Sequence, residues 1–174
     1  HVHMVIGVAP RMVIFWAIYH WYPLLTGRML NEAMGKIHVW VTVAGTYAIC
    51  FPMHYVGLVG VPRRYPEIGD PAVITAPVDN LNAFISIAAF IVGAAQILFL
   101  FNIVWCIRNG RQAGNNPWRA ASLEWQTPQT PPRHGNWGDS LPVVYRWAYD
   151  YSVPGAPADF IAQDDPWTPQ RMTP

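Results

Sequence analysis

Long apolar runs separated by short polar segments occupy the first two thirds of the chain. The three runs, at about residues 1–25, 37–61 and 81–107, contain few charged residues. Each run reaches the roughly 20 residues that an α-helix needs to cross about 30 Å of hydrocarbon. The pattern therefore predicts an all-α fold with three transmembrane helices. The alternative, three buried helices of a soluble bundle, is disfavoured because every run is so long.

The segments that follow the apolar runs have a different composition. Residues 62–80 are rich in proline, which predicts no regular element there. Arg108 and Arg111 directly follow the third run, and positive charge after a span favours the cytoplasmic side of a membrane. Residues 113–174 are rich in proline and tryptophan and show no helical periodicity. We expect residues 1–112 to form the transmembrane segment. Residues 113–174 are expected to form an extended cytoplasmic tail against a partner surface rather than a disordered extension.

The composition supports a membrane protein and argues against some other classes. Of the 174 residues, 52% are hydrophobic and 12% are charged, and this charged fraction is about half that of an average soluble domain. The net charge of +1 gives no broad basic surface for nucleic acid. Cys50 and Cys106 each lie within an apolar run, which argues against a disulfide framework or a cysteine metal site. The chain begins with His1 and shows no signal-peptide pattern, so we expect a processed start, a fragment or one half of a split polypeptide.

Two histidines stand at the head of the first apolar run, in the order His1-Val-His3. Successive helical residues turn by about 100°, so the two imidazoles point roughly 200° apart. They are poorly placed to bind one metal ion together, and each can serve a separate centre. Imidazole is a common axial ligand of haem iron. The alternative is an ordinary terminal histidine pair or the remnant of a tag.

Two adjacent arginines, Arg63 and Arg64, follow the second run, on the side of the membrane opposite to the C-terminal positive cluster. Guanidinium groups suit planar carboxylates such as haem propionates. A local salt-bridge cluster with Glu67 and Asp70 is an equally good interpretation on chemistry alone. If the first helix starts at the outer face, the second helix returns there. The histidine pair and the arginine pair then share one leaflet, which favours a haem site.

The same residues resemble those of a known family, subunit I of the haem-copper oxidases, over nearly the whole chain. The first run is similar to helix ten of that family, the second run and its exit loop to helix eleven, and the third run to helix twelve. The segments that carry the resemblance are His1-Val-His3-Met, His20-Trp-Tyr-Pro-Leu-Leu-Thr-Gly27, Lys36-Ile-His38, Phe51-Pro-Met-His54-Tyr-Val-Gly-Leu, Gly60-Val-Pro-Arg63-Arg64-Tyr65-Pro66, Asn116-Pro-Trp118, Leu123-Glu-Trp125 and Leu141-Pro-Val-Val-Tyr145-Arg146.

The resemblance implies roles for four of these residues. It implies that His1 is the proximal ligand of the high-spin haem iron and that His3 is one of two axial ligands of the low-spin haem iron. It implies that Arg63 and Arg64 bind haem propionates. The two haems are expected to be of the haem a type. The copper of the complete active site would have its ligands outside this chain, because nothing here resembles the copper-binding motifs of the family.

Three further histidines, His20, His38 and His54, also match family positions. We expect these three to be hydrogen-bonded structural residues rather than ligands.

The resemblance implies that the chain is the C-terminal part of the catalytic subunit of a cytochrome c oxidase, with three helices of a twelve-helix bundle. Such an enzyme reduces oxygen and moves protons across the membrane, here expected to be the bacterial inner membrane. The expected partners are the remainder of subunit I, oxidase subunits II and III, cytochrome c as electron donor, and lipid. A quinol oxidase of the same family and a non-catalytic structural or assembly subunit are the main alternatives. A bis-histidine cytochrome b is disfavoured because His38 and His54 lie too far apart along one helix.

Two departures from the family pattern stand out. Val2 takes the place of the usual phenylalanine between the paired histidines. Pro10 and Arg11 stand where the family usually has small apolar residues. Proline inside a helix is expected to kink it, and a charge at membrane depth is costly unless it is paired. We therefore expect Arg11 to face protein, a haem substituent or water, and not lipid.

Overall fold

The computed structural model of the chain describes residues 2–61, 76–128 and 132–167. Within those ranges the regular structure is helical and no strand forms, which confirms the predicted all-α fold. Four α-helices follow one another as α1 (Val2–Thr26), α2 (Glu32–Cys50), α3 (Pro52–Leu58) and α4 (Ala76–Asn109), and a single 3₁₀ turn covers Leu123–Trp125. The chain divides into two compact units. The first consists of residues 1–18 and 30–108, and the second of residues 19–29 and 109–174.

Three helical stretches in the described residues are long and apolar enough to cross a membrane: His3–Thr26, Glu32–Leu58 and Pro77–Asn109. The predicted number of three spans is therefore confirmed. The second stretch combines α2 and α3, which are separated at Phe51. Phe51 itself has helical backbone angles, and Pro52 follows at the first position of α3. Because proline has no amide hydrogen, the helical hydrogen-bond ladder is interrupted there while the chain keeps its direction locally.

Prolines affect the helix ends differently from our expectation. Helix α4 begins at Ala76, so the expectation of no regular element over residues 62–80 is wrong for residues 76–80. Pro77 lies in the first turn, where an amide hydrogen has no acceptor inside the helix and proline is tolerated. Residues 62–75 lie outside the described residues. Helix α1 continues through Pro10, from Val2 to Thr26, and the kink expected at Pro10 stays a prediction.

In the first unit, α4 buries a narrow stripe and exposes the rest of its surface. From Ile85 onward its buried residues recur at alternating spacings of three and four, as in the seam of two packed helices. They are Val78, Ile85, Ala88, Val92, Ala95, Phe99, Asn102 and Cys106. Helix α2 buries a stripe of smaller and polar residues, namely Gly35, His38, Thr42, Thr46 and Cys50. Small residues of this kind let membrane helices approach closely.

Contacts between these stripes fix the helices as antiparallel neighbours. Gly45 of α2 lies directly against Val92 of α4. The His38 ring stacks on Phe99 with 4.6 Å between ring centroids and meets Phe15 of α1 edge-on, also at 4.6 Å. Since His38 precedes Gly45 whereas Phe99 follows Val92, α2 and α4 run in opposite directions.

A buried amide joins the start of α2 to α4. The Asn102 side chain is fully buried, accepts a hydrogen bond from the Asn31 amide nitrogen at 3.1 Å and donates one to the Asn31 carbonyl at 3.1 Å. Asn31 in turn caps α2, because its side-chain oxygen accepts from the Met34 amide at 3.0 Å. An N-cap of this kind satisfies one of the free amide groups at a helix start.

The second unit contains little regular structure. The last residues of α1 and the following turn belong to it, together with the described part of the tail. Its centre is Trp125, which is 1% exposed. The Trp118 indole nitrogen donates to the His20 carbonyl at 3.0 Å, and the Trp21 indole nitrogen donates to Glu124 at 3.3 Å. Arg28 donates to the Gly110 carbonyl at 2.8 Å.

Candidate functional site

His3 lies in the first turn of α1, and its side chain is exposed rather than packed into the helix pair. The imidazole opens onto a groove of about 330 Å³ in the first unit. The groove is lined by His3, Ile6, Gly7 and Arg11 of α1, by Thr46, Ile49 and Cys50 of α2, and by Met53 of α3. We name this feature the His3 groove. One imidazole in a largely apolar wall is the side-chain chemistry that a haem requires from a membrane helix.

Helix periodicity explains why His3, Gly7 and Arg11 lie along one side of the groove. Residues four apart lie one above the other on a helix surface. A Cβ atom added to Gly7 would stand 3.5 Å from the Thr46 methyl carbon, which is ordinary contact. The absence of a side chain at Gly7 therefore keeps the groove open between His3 and Arg11.

The Arg11 side chain is partly buried, and its guanidinium donates a hydrogen bond to the Thr46 hydroxyl oxygen at 3.3 Å. The Thr46 hydroxyl donates to the Thr42 carbonyl at 2.6 Å, so its oxygen is free to accept from Arg11. Arg11 thus faces protein and the His3 groove, as its position in an apolar run suggests.

The other predicted ligands cannot be placed in the same way. His1, Arg63 and Arg64 lie outside the described residues, so their roles remain predictions. Met53 of α3 lines the His3 groove, and Val61 is the last described residue before Ala76. Val61 is buried with Val78 of α4, and Val56 packs against this pair.

The remaining family-matched histidines make local contacts. His38 is fully buried, and its Nε2 atom lies 3.3 Å from the Gln96 side-chain oxygen. The His54 Nδ1 atom lies 3.0 Å from the Cys50 carbonyl oxygen. The His20 ring stacks parallel to Trp118 and meets Trp125 edge-on. Each ring thus has packing or hydrogen-bonding partners within the protein.

Sequence reasoning missed the polar chain that runs beside these histidines. Gln96 donates to the Thr42 hydroxyl at 3.1 Å and also lies against His38, so α2 and α4 share a polar contact at membrane depth. The signal in the sequence is the amide of Gln96 in the middle of the apolar run 81–107, together with Thr42 and Thr46, which are four residues apart. Interhelical hydrogen bonds of this kind hold membrane helices together.

The described part of the chain contains no cluster of side chains that could bind a metal ion. Over residues 3–61, 76–128 and 132–167, no group of three or more His, Cys, Asp or Glu side chains could hold a metal ion. Cys50 and Cys106 are both free thiols and buried.

Comparison with known proteins gives a family for this arrangement. The family described as cytochrome c and quinol oxidase polypeptide I matches residues 1–91, which include the histidine pair, the arginine pair and the first residues of α4. The chain belongs to this family. The resemblance to haem-copper oxidase subunit I is thereby confirmed. The family in general implies haem and copper as cofactors.

Individual relatives in the oxidase family extend the similarity into the tail. The chain is 64% identical over 166 residues to the alternative cytochrome c oxidase subunit 1 of Bradyrhizobium diazoefficiens, covering 95% of this chain and 28% of that protein. It is 39% identical over 153 residues to cytochrome c oxidase subunit 1 of Thermostichus vulcanus, covering 88% and 26%. It is 35% identical over 172 residues to the same subunit of Synechocystis sp., covering 99% and 29%. The chain therefore spans less than a third of the length of each of these relatives.

Proposed function

We propose that the chain is the C-terminal part of the catalytic subunit I of a terminal respiratory oxidase, which reduces oxygen with electrons from cytochrome c and moves protons across the membrane. The similarity to named cytochrome c oxidase subunits over nearly the whole chain carries this proposal. The open His3 groove supports it, because an accessible imidazole on an apolar wall suits an axial haem ligand.

The chain's own residues would supply ligands and positioning rather than the reacting centre. His3 would hold the low-spin haem iron, and His1, two residues earlier in the sequence, would hold the high-spin haem iron. Arg63 and Arg64 would bind the propionates through charge-assisted hydrogen bonds. When bound, the haems, together with a copper ion held by residues of the remainder of subunit I, supply the electron-transfer and oxygen chemistry.

Placement in the cell follows from the same proposal. The three apolar helices and the family establish an integral membrane protein. The positive residues Arg108 and Arg111 support a cytoplasmic C-terminus in the bacterial inner membrane. The tail 113–174 would then lie against the cytoplasmic side of the complex, with subunits II and III as neighbours.

The test is haem analysis of the intact oxidase complex that contains this chain. We expect the purified complex to hold one low-spin and one high-spin haem by reduced-minus-oxidised spectroscopy and haem extraction. His3→Ala should remove the low-spin haem and keep the haem that binds carbon monoxide. His1→Ala should abolish the carbon monoxide difference spectrum. His134→Ala, which changes an exposed tail histidine, is the matched control and should leave both haems in place.

A ligand role for His3 can also be separated from a folding role. Methionine is an axial haem ligand that raises the reduction potential, so His3→Met should retain the low-spin haem with a higher potential. If the complex contains no haem, the proposed function is wrong. If His3→Ala keeps two haems with unchanged low-spin bands, the chain instead serves as a structural subunit.

A quinol oxidase is the second candidate, because the matching family includes quinol oxidases. The names of the individual relatives favour cytochrome c as donor. Stopped-flow reduction of the purified complex separates the two donors. We expect reduced cytochrome c to reduce the low-spin haem rapidly and a short-chain quinol to do so slowly; the reverse order would establish the quinol oxidase.

A further inference from the structure

The tail carries a row of four aromatic side chains on its surface. The rings contact one another edge-on in series, with successive centroids 4.9, 6.3 and 5.0 Å apart, in the order Trp147, Tyr149, Tyr151 and Phe160. We name this feature the aromatic ladder. Its side chains are between 45% and 66% exposed, whereas Trp125 in the same unit is 1% exposed. The described residues therefore leave about half of the ladder or more uncovered.

Hydrogen bonds hold the backbone that carries the ladder. Tyr151 and Phe160 pair as an antiparallel bridge. Beside this bridge the Ser152 amide donates to the Asp159 carbonyl at 3.3 Å, and the Ser152 hydroxyl donates to the Asp159 carboxylate at 2.6 Å. Rings that are already ordered lose less conformational entropy when a partner covers them. The ladder is therefore a suitable docking surface.

A series of hydrogen bonds connects the ladder to the last turns of α1. The Trp21 indole nitrogen donates to the Glu124 carboxylate at 3.3 Å. The neighbouring Leu123 amide donates to the Gln163 side chain at 2.9 Å, and the Gln163 carbonyl accepts from the Tyr145 amide at 2.8 Å. Tyr145 lies two residues before the first ring of the ladder, which is no more than about 7 Å along the chain. The ladder is thus tied to the end of α1 within one compact unit.

The end of α1 sets the level of this connection in the membrane. The span His3–Thr26 has 24 residues, or about 36 Å of helix at 1.5 Å per residue. A hydrocarbon core is about 30 Å thick, with roughly 5–8 Å of headgroups on each side. The last turns of the span therefore lie at the boundary between hydrocarbon and headgroups. Trp21 lies in these turns, so the part of the tail that contacts it reaches the level of the lipid headgroups.

The ring types of the ladder suit this boundary. Tryptophan and tyrosine combine an apolar ring with one polar group, and they concentrate at the level of the headgroups. Leu141, Val143 and Val144, a few residues before the ladder, are also more than half exposed, and soluble proteins rarely leave so large an apolar surface open to water. Aromatic rings also occur in interfaces between proteins. The connection to the membrane end of α1 favours lipid as the partner.

The charges around the ladder favour lipids with a neutral headgroup. From residue 145 to residue 165 the chain carries one arginine and four aspartates, namely Arg146, Asp150, Asp159, Asp164 and Asp165. Arg146 is engaged with the protein, since its guanidinium donates to the Asp165 carbonyl at 2.8 Å. The excess of negative charge repels anionic headgroups and attracts the ammonium group of phosphatidylcholine or phosphatidylethanolamine. Aromatic faces attract such cations as well.

We propose that the aromatic ladder inserts into the headgroup layer of the bilayer beside the end of α1, at phospholipids with a neutral, ammonium-bearing headgroup. This contact attaches the far part of the tail to the membrane surface. It goes beyond the proposed function and is independent of it, because it requires only a membrane span that ends near Thr26.

The experiment is photolabelling of the intact complex in nanodiscs of phosphatidylcholine, part of which carries a diazirine on its headgroup. Cleavage after arginine gives the peptide 147–171, which contains the ladder, and the peptide 120–133, which contains the buried Trp125. We expect lipid adducts on peptide 147–171 to be several-fold more frequent than on peptide 120–133, with tandem mass spectrometry locating them at the rings. A diazirine at the end of the acyl chain should label the ladder less, and so should headgroup-labelled lipid in nanodiscs of phosphatidylglycerol.

Two double variants test whether the rings make the contact. Trp147→Ser with Tyr149→Ser should reduce the adducts on peptide 147–171 to the level of peptide 120–133. Trp147→Phe with Tyr149→Phe should retain most of them, because phenylalanine keeps an apolar ring. Proteolysis of the tail in detergent should be equally fast in wild type and both variants, since these side chains are exposed. Adducts at the wild-type level in a folded serine variant would overturn the role of the rings.

The wild-type complex can overturn the proposal without any variant. A ladder that carries no lipid adducts and is rapidly oxidised by hydroxyl radicals faces water. A ladder without adducts that is oxidised slowly is covered by a protein subunit. Either result overturns the lipid contact, and a yield in phosphatidylglycerol equal to that in phosphatidylcholine overturns the choice of headgroup. A complex without haem would contradict the proposed function and leave the pattern of adducts unaffected.

Discussion

The two units of the molecule satisfy their backbone groups in opposite ways. In the first unit, the backbone hydrogen bonds are contained within helices, as a membrane requires. Side chains such as Gln96 and Thr42 are therefore free to join one helix to another. The second unit contains little regular structure, and its side chains form hydrogen bonds directly with backbone groups. Gln163, for example, accepts from the Leu123 amide at 2.9 Å and donates to the Arg146 carbonyl at 3.3 Å.

Both units expose apolar side chains, and the difference lies in what they bury. In the helical unit, Trp40, Leu58 and Phe90 are each more than 70% exposed, while the polar side chains His38, Thr42 and Thr46 lie in the buried stripe of α2. Lipid or further helices can cover such apolar faces without any loss of hydrogen bonds. In the tail, Trp125 is buried among other rings, whereas Leu141 and Trp147 are exposed. The comparison teaches that helix-to-helix fit controls the stability of the first unit. Aromatic packing and hydrogen bonds from side chains to the backbone control the stability of the second unit.

The largest expected effect is in the second unit. Trp125→Ala removes a 1% exposed ring that contacts His20 at 5.1 Å and Trp118 at 6.5 Å between ring centroids. Truncation of a buried tryptophan costs about 3–5 kcal/mol, and every 1.4 kcal/mol is about a tenfold change in population. We expect proteolysis of the tail in the purified complex to accelerate on the order of 100-fold or more.

Two controls test whether the packing of Trp125 is responsible. Trp147→Ala changes an exposed indole and should leave the cleavage rate near that of wild type. Trp125→Phe should cost far less than alanine, because the Trp125 indole nitrogen has no hydrogen-bond partner within the described residues. Equal acceleration by alanine and phenylalanine would show that the indole nitrogen, rather than the ring, stabilises the tail.

The next effect concerns helix fit in the first unit. A Cβ atom on Gly45 would overlap the Val92 side chain, which is stiff at its branched carbon. Overpacking of this kind costs about 1–3 kcal/mol. Gly45→Ala should therefore lower the thermal midpoint of the complex, followed by tryptophan fluorescence.

The cause can be isolated with two further variants. Val92→Ala combined with Gly45→Ala should recover part of the loss, because it removes the overlapping methyl groups. Gly93→Ala, at a position where an added Cβ meets nothing within 4 Å, should not lower the midpoint. A loss for Gly93→Ala as large as that for Gly45→Ala would contradict the close helix approach.

A smaller effect is expected from the backbone contacts of Gln163. Gln163→Leu leaves the Leu123 amide and the Arg146 carbonyl without this partner. The site is partly buried, so water can replace some of the lost bonds and we expect a cost of about 1 kcal/mol. Hydrogen exchange at Leu123 should become several-fold faster, while exchange at Met34 on the capped start of α2 stays unchanged. Unchanged protection at Leu123 would refute the bridging role.

The smallest effect is expected at the surface of α2. Lys36 and Glu32 form an ion pair at 2.7 Å with both side chains mostly exposed. Exposed pairs four residues apart on a helix contribute about 0.3–0.5 kcal/mol. Lys36→Gln should therefore change the thermal midpoint only slightly, and high salt should abolish the difference. A loss that persists in high salt and equals that of Gly45→Ala would show that surface charge, and not helix fit, determines the stability of the first unit.

The candidate site shows which residues the sequence could identify. The spacing His1-Val-His3 and the arginine pair are local patterns, so they are visible before any fold is known. The expectation that Arg11 faces protein also came from its position alone, because a charge at membrane depth demands a partner. Its acceptor, Thr46, lies 35 residues away on another helix, and no local pattern specifies that pairing. The same holds for Gln96 with Thr42.

The sequence by itself determined the elements: apolar runs of membrane length form helices because each backbone group must find its partner within the run. It also determined the family, because the motifs lie at fixed spacings in continuous segments. The tertiary structure decided which faces meet. The stripe on α4, the close approach at Gly45 and the groove that joins His3 to Arg11 depend on the antiparallel packing of separate helices. Such contacts arise from shape and hydrogen bonding between residues distant in the chain, which hydrophobic periodicity does not encode.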